Sequence, residues 1–374
     1  MTYVKICRWR CAEDASGRPS HSASPRCTTS RDRPLWTHAS SPSERDADLV
    51  RSGDCVIAND AATLPASLHG IHEPTGAPIE IRLAARASLD PHDVSRFSCI
   101  VFGGGDFRTP TEAREAPPRL VRGDRLRLGP LLATIGRTLD HPRFVELDFH
   151  GTPASIWHGL ATRGRPVQYA HVSGPLALRD VWTPIAARPV AFEPPSAGFV
   201  LDWRGVKALR DKGASFATLT HAAGLSSTGD SSLDERLPLN EPYRIPPTTA
   251  RLVAETNMRG GRVIAIGTTV VRALEHAAMP HGSVRVGDGV ATGRIGHHTR
   301  LRIVDVIVSG THEPESSHYA LLSAFVTPQT LAHATSVLEN EHYRTHEFGD
   351  SIWIERDARK DEIRCECKWT AECA

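Results

Sequence analysis

Four turns in this chain place chemically able residues beside free backbone donors. The first lies in "GGRVIAIGTTVVRALE", where apolar residues 263 to 266 lead through Gly267 into Thr268 and Thr269. Uncharged β-branched residues read as a strand buried on both faces, and glycine supplies the tight turn after it. A threonine can then cap a helix carried by Val270, Val271, Ala273 and Leu274. The open N–H groups of such a helix start attract phosphates, carboxylates and ribose hydroxyls. Any α/β protein holds several such turns, and these glycines form neither a GxGxxG nor a P-loop.

The other three turns are "EPPSAGF" from Glu193, "LTHAAGLSS" with His221, and "SGTHEPESSHY" with His312, Glu313, Glu315, Ser316 and His318. Each alone reads as a surface turn. Loops after parallel strands gather at one sheet edge, so together they predict one pocket. Serine with histidine could suggest a hydrolase, but no G-x-S-x-G elbow surrounds Ser226 or Ser316. Adjacent His297 and His298 cannot put two ligands on one helix face, so they are read as solvent-facing and no metal site is expected. Near the end, "NEHYRTHEFGDSIWI" offers Glu347 and Asp350 as acids or bases beside a final strand.

These turns need elements to hold them. The chain has 374 residues, enough for two domains, with 40% hydrophobic and 23% charged residues, as in globular proteins. A net charge of +1 leaves only a local patch for nucleic-acid contact. No apolar run approaches the roughly 20 residues that span a bilayer, and the start lacks a signal-peptide core, so no membrane partner and a cytoplasmic location are expected. Of eight cysteines, Cys55 and Cys99 read as small buried hydrophobes and the others crowd the two tails without a CxxC.

Residues 1–46 are rich in Ser, Arg and Pro and read as a disordered lead-in; 357–374 form a tail. From 63 to 160, runs such as "IEIRLAAR", "FSCIVFG", "RLRLG" and "FVELDF" alternate with turn residues and suggest a small barrel or sandwich. Between Arg82 and Arg143 stand eleven arginines against seven acidic residues, read as a solvated strand face rather than a nucleic-acid face. Residues 47–62 and 161–356 read as α/β, with helices over "RGVKALRDKG" (stopped by Gly213), "PPTTARLVAETNMRGG", "SSHYALLSAF" and "TPQTLAHATSVLENEHY". A second buried strand is expected from Arg300 to Gly310. Strands alternating with helices imply a largely parallel sheet.

In order, "GDCVIANDAATLPASLHG", "GRPVQY", "PSAG", "GGRVIAIGTTVVRALE", "THEPESSHYALLSAF" and "YRTHEFGDSIWI" resemble the S-adenosylmethionine:tRNA ribosyltransferase-isomerase family of queuosine biosynthesis, from about Gly53 to Ile354. The resemblance implies a larger α/β domain with a mixed or parallel sheet and an inserted small β-barrel, in a monomer. It also implies a reaction. The ribosyl part of S-adenosylmethionine moves to 7-aminomethyl-7-deazaguanine in the tRNA anticodon region and is isomerised to give epoxyqueuosine, with adenine and methionine released. S-adenosylmethionine is then a consumed substrate and no further cofactor is implied.

The sulfonium acidifies the neighbouring C5′ hydrogens, so a base must reach one of them, and departing adenine needs a proton. On family-matching positions the candidates are Asp60, Glu241, His312 and Asp350, with His221 beside them. Pro195, Ser196, Ala197 and Gly198, with Gly267, Thr268, Thr269 and Arg272, are expected to wall the nucleoside pocket. The chain departs from the family text N-D-T-R-x-x-P-A-R by Ala61, Ala62 and Ser67 in place of the threonine and both arginines. "THAAGLSSTG" and "LNEPY" are likewise altered loops, and the lead-in stands where the family's usual first block would be. No alanine replaces a bidentate arginine. A divergent paralogue acting on a non-tRNA acceptor, or a non-catalytic RNA- or nucleoside-binding protein, is therefore the alternative. An ordinary methyltransferase ranks lower, because no glycine-rich loop follows an early strand.

Overall fold

The computed structural model describes residues 49–343 apart from 173 and 315, and residues 350–356. It also describes the backbone of five short strands before residue 39. Four parallel strands form the centre of a ten-stranded sheet: β1 (Cys55–Asn59), β10 (Ser215–His221), β12 (Val263–Ile266) and β14 (Val306–Gly310). On one side antiparallel β11 (Glu241–Ile245) and β13 (Gly287–Ala291) continue it from β10. On the other, antiparallel β15 (Ser351–Glu355) follows β14.

Strand residues alternate between two cores, which is why these runs are apolar throughout. Ile57, Leu219, Val263, Ala265 and Ile307 face α3 (Pro247–Met258) and α4 (Thr268–His276), which present Val253, Val270, Val271 and Leu274. Val56, Ala58, Ile264, Ile266 and Val308 face the other layer, with Leu209 of α2 (Trp203–Asp211) and the 3-10 turn Ser196–Val200. Gly213 ends α2 at φ +82°, a conformation that glycine adopts without strain.

Between β1 and β10 the chain leaves the sheet. A short β2 (Ala61–Thr63) leads into a closed six-stranded barrel. Its strands are β3 (Ser67–His72), β4 (Ala77–Ala85), β5 (Arg96–Phe102), β6 (Arg125–Leu128), β7 (Leu131–His141) and β8 (Phe144–Phe149). Helix α1 (Pro153–Arg163) buries Ile156 and Leu160 in the barrel's core cluster. The chain returns through β9 (Arg188–Ala191), parallel to β2, and Phe192 packs edge-on against Phe97 at 6.2 Å. The barrel also buries charge: Glu80 lies between Arg82 and Arg114. Burial would raise the Glu80 carboxyl, but the two guanidiniums override it and hold it at about 2.

The α/β architecture with an added β-barrel is thus present. Three local expectations differ. The strand expected over 300–310 begins only at Val306, because the Glu275 carboxylate accepts the N–H groups of Arg302, Ile303 and Val304 and draws that backbone out of the sheet. Helix α1 lies in a stretch read as β-rich, with Thr152 capping Ser155 N–H and Pro153 at the first turn. In the lead-in, read as lacking elements, the strand Val4–Trp9 pairs with β15 and Pro25–Thr29 pairs with it in turn. An open strand edge such as that of β15 offers unpaired N–H and C=O groups that a preceding segment can satisfy.

Candidate active site

Parallel β1, β10, β12 and β14 end at the same sheet edge, and antiparallel β11 and β15 begin there. His221 pairs with Tyr243, so Glu241 lies two residues past the end of β10. Gly310 pairs with Ser351, so Asp350 lies beside the end of β14. All five candidate acids and bases therefore occupy one edge, in the order Glu241, His221, Asp60, His312, Asp350. Gly267 to Thr269 sit between Asp60 and His312. Five strand spacings separate the ends of this row, roughly 24 Å. The structure brings them together as two clusters flanking a helix start, not as one contact group.

The first cluster is buried. His221 is 0% exposed, and neither ring nitrogen has a hydrogen-bond partner among the described residues. Its Nε2 stands 3.5 Å from Glu241 Oε2, too far for a good hydrogen bond. Burial, and then the positive charge of Arg272, push its pKa well below 6.5, so the ring is neutral and able to accept a proton. Burial also raises the Glu241 carboxyl, against the pull of Arg272 and a 2.6 Å hydrogen bond from Gly224 N–H. The Arg272 guanidinium pairs with Glu241 and donates to the carbonyls of Leu239, Ala291 and Gly293, each at 3.3 Å. Expected at the wall of the nucleoside pocket, it is held in this clamp one helical turn after the α4 start.

Asn59 ties this cluster to the helix start. Its Nδ2 donates to the His221 carbonyl at 2.9 Å and to Thr269 Oγ1 at 3.3 Å, and its Oδ1 accepts the His221 N–H at 3.0 Å. Asn59 was visible only as part of a motif; besides Ala61 N–H, its partners are 162 and 210 residues away. Next to it, Asp60 accepts hydroxyl hydrogens from Thr218 at 2.9 Å and Thr220 at 2.6 Å. Two threonines of one strand, spaced by two, present both hydroxyls on the same face.

The middle of the edge is the N-terminus of α4. Gly267 precedes it at φ +95° and no side chain caps it. Helix geometry leaves the first N–H groups there without intrahelical acceptors. The turn of Pro195 to Gly198 packs on it: a Cβ added to Gly267 would stand 3.2 Å from Ala197 Cβ. Seven of the eight expected pocket residues thus lie together. In the second cluster His312 Nε2 meets Ser309 Oγ at 2.9 Å, His312 stacks on His318 at 4.8 Å, and the Asp350 carbonyl accepts Thr311 N–H. Glu315 and Glu347 lie outside the described residues. Among the described residues no group of three His, Cys, Asp or Glu could hold a metal ion.

A family profile described as "Queuosine biosynthesis protein" matches residues 39–354. The chain belongs to that family. Relatives in the queuosine biosynthesis family include the S-adenosylmethionine:tRNA ribosyltransferase-isomerase of Pelobacter propionicus, 31% identical over 83% of this chain and 87% of its own. The protein of that name from Geotalea uraniireducens is 30% identical over 82% and 86% of the two chains. A solved S-adenosylmethionine tRNA ribosyltransferase from Thermotoga maritima shares 22% identity over 87% of this chain and 90% of that one. Its TM-score is 0.42, too low to place residues by superposition.

Proposed function

We propose that this queuosine-family protein transfers the ribosyl part of S-adenosylmethionine to 7-aminomethyl-7-deazaguanine in tRNA and isomerises it, giving epoxyqueuosine, adenine and methionine. The observation that carries this reading is the coupling by Asn59 of a neutral, buried imidazole to an open helix N-terminus. The reaction needs both. Neutral His221 is the group to take the C5′ proton acidified by the sulfonium. The α4 N–H groups suit the methionine carboxylate or ribose hydroxyls, and the turn at Pro195 to Gly198 suits the apolar face of the nucleoside. His312 and Asp350, on the far side of α4, are the candidates to protonate departing adenine.

S-adenosylmethionine is spent in this scheme, and the anticodon region of tRNA is the macromolecular substrate. No described helix is long and apolar enough to cross a membrane. A cytoplasmic monomer is the state we assign. The test is adenine release from S-adenosylmethionine, with and without tRNA carrying 7-aminomethyl-7-deazaguanine. Adenine appearing only with that tRNA is the expected result. No adenine in either case, from protein with a cooperative melting transition, sinks the proposal.

A further inference from the structure

The barrel's arginines are not alike. On its outer face Arg96 meets Asp148 at 2.6 Å and Glu146 at 3.5 Å, and Arg137 meets Glu146 at 3.2 Å. Those charges are cancelled locally. Along β6 the balance is different. Arg125 and Arg127, two residues apart and each 58% exposed, share one carboxylate: Glu73, at 3.4 and 3.9 Å. The other acid on this stretch, Asp124, is turned to His72 at 3.0 Å and to Val121 N–H at 2.7 Å.

Arg122 is exposed just before β6 and has no ion pair among the described residues. At the other end of β6 stands Gly129, where an added Cβ would lie 2.8 Å from Arg163 Cγ. Arg163 and Arg165 are exposed and likewise lack a carboxylate partner among the described residues. From Thr152 to His171 the chain contains no acidic residue at all, and β3, which lies beside β6, contains none either. The result is a stripe of five arginines against one glutamate, along roughly 20 Å of barrel surface.

The stripe points at the candidate site. Ser67 and Arg165 exchange backbone hydrogen bonds at 2.8 and 2.9 Å, so Arg165 sits at the start of β3. From Ser67 the chain runs back through β2 to Asp60 in seven residues. Arginines that outnumber the carboxylates pairing with them among the described residues, in a row leading to a catalytic edge, suit a polyanion whose reactive part enters that edge.

We infer that Arg122, Arg125, Arg127, Arg163 and Arg165 form a docking surface for the phosphate backbone of RNA, holding the stem beside the modified base. This rests on the tRNA reading above and adds the surface that the reading lacks. The partner is a nucleic acid because phosphates spaced along a strand match an arginine row, and phosphate contacts position without reading sequence.

The experiment is fluorescence-anisotropy binding of a labelled anticodon stem-loop RNA to the full chain across salt concentrations. The proteins compared are wild type, R122A/R127A/R163A, the same positions as lysine, and R96A/R137A. The alanine triple is expected to bind at least roughly tenfold more weakly near 0.1 M salt, with its log–log salt slope smaller by about 2. The lysine triple should keep the slope, since lysine keeps the charge, and R96A/R137A should bind like wild type. Melting curves establish that each variant is folded. If wild type does not bind RNA, the tRNA reading itself fails. If wild type binds and the alanine triple binds equally well, the stripe is overturned while the reading stands. Equal weakening in R96A/R137A also overturns it, because the attraction is then diffuse. So does an alanine triple that loses adhesion to anionic lipid vesicles while keeping its RNA affinity.

Discussion

Asn59 holds His221 by both of its backbone groups, donating to the carbonyl and accepting from the N–H. One side chain at the end of the central strand thereby sets where the neighbouring strand stops and how its imidazole is presented. The same amide reaches Thr269 on the first turn of α4. Asn59→Ala removes these three contacts and the 3.0 Å hydrogen bond that Oδ1 accepts from Ala61 N–H, and leaves buried polar groups unsatisfied, at a cost of about 1–3 kcal/mol each where water cannot enter. We expect adenine release to slow by tenfold or more, beyond what the loss of stability accounts for. Asn59→Asp keeps the acceptor and loses the donor, so it should fall between. If Asn59→Ala lowers the denaturation midpoint but leaves kcat unchanged, Asn59 is a structural residue only.

The pH dependence of His221 follows from its burial. Its folded pKa lies well below 6.5, the value it regains on unfolding. The unfolded chain therefore takes up this proton first as pH falls. Stability is complete above about 6.5 and declines as pH drops from there toward the folded value. Glu241 acts in the opposite sense, since its raised pKa makes stability fall as pH rises from 4.5. Comparing His221→Gln with wild type by urea unfolding between pH 7.5 and 5 isolates the histidine. The variant should show a shallower decline below 6.5, the remainder including His276, whose folded pKa is also lowered by burial; an unchanged slope rules out a neutral buried imidazole at 221.

Arg272 makes a different kind of prediction. Its guanidinium is 6% exposed and is held by Glu241 and three carbonyls. Arg272→Ala leaves the Glu241 charge buried without its counter-ion, a loss of about 3–5 kcal/mol. Arg272→Ala together with Glu241→Gln should recover part of that stability, because the uncompensated charge is gone. A double variant no more stable than Arg272→Ala contradicts this account of the clamp.

What could be read beforehand follows from how local each signal is. "CVIAN" and "VIAI" carry no charge over a whole strand, and Gly267 and the threonines after it mark a helix start, so the central strands and the α4 turn were legible. The clamp was not, because nothing near Arg272 in sequence names Glu241 as its partner. The same holds for Asn59, which reads as an ordinary turn residue until β10 is laid beside β1. Helix α1 did carry a local signal in Thr152 and Pro153, hidden by the β-rich text around it. The shortened β14 carried none: only the fold brings the Glu275 carboxylate to residues 302–304.

Gly267 unites both halves of the middle site, and its replacement separates packing from binding. At φ +95° and ψ 158° it occupies a region essentially restricted to glycine, where alanine is strained by about 1–3 kcal/mol. Its new methyl would also press on Ala197 at 3.2 Å and shift the Pro195 to Gly198 turn off the α4 N-terminus. Gly213→Ala is the matched comparison. It too has positive φ, +82°, and would crowd Ser52, but it lies at the opposite end of β10. Both variants should melt lower by a few degrees, about 1–2 °C per kcal/mol in a chain of this size. Only Gly267→Ala should raise KM for S-adenosylmethionine, by at least about fivefold, since a loss of about 1 kcal/mol of ground-state binding has that effect. Equal KM values for the two variants would place the nucleoside away from the α4 start, and the residues assigned around Pro195 and Thr268 would lose their role.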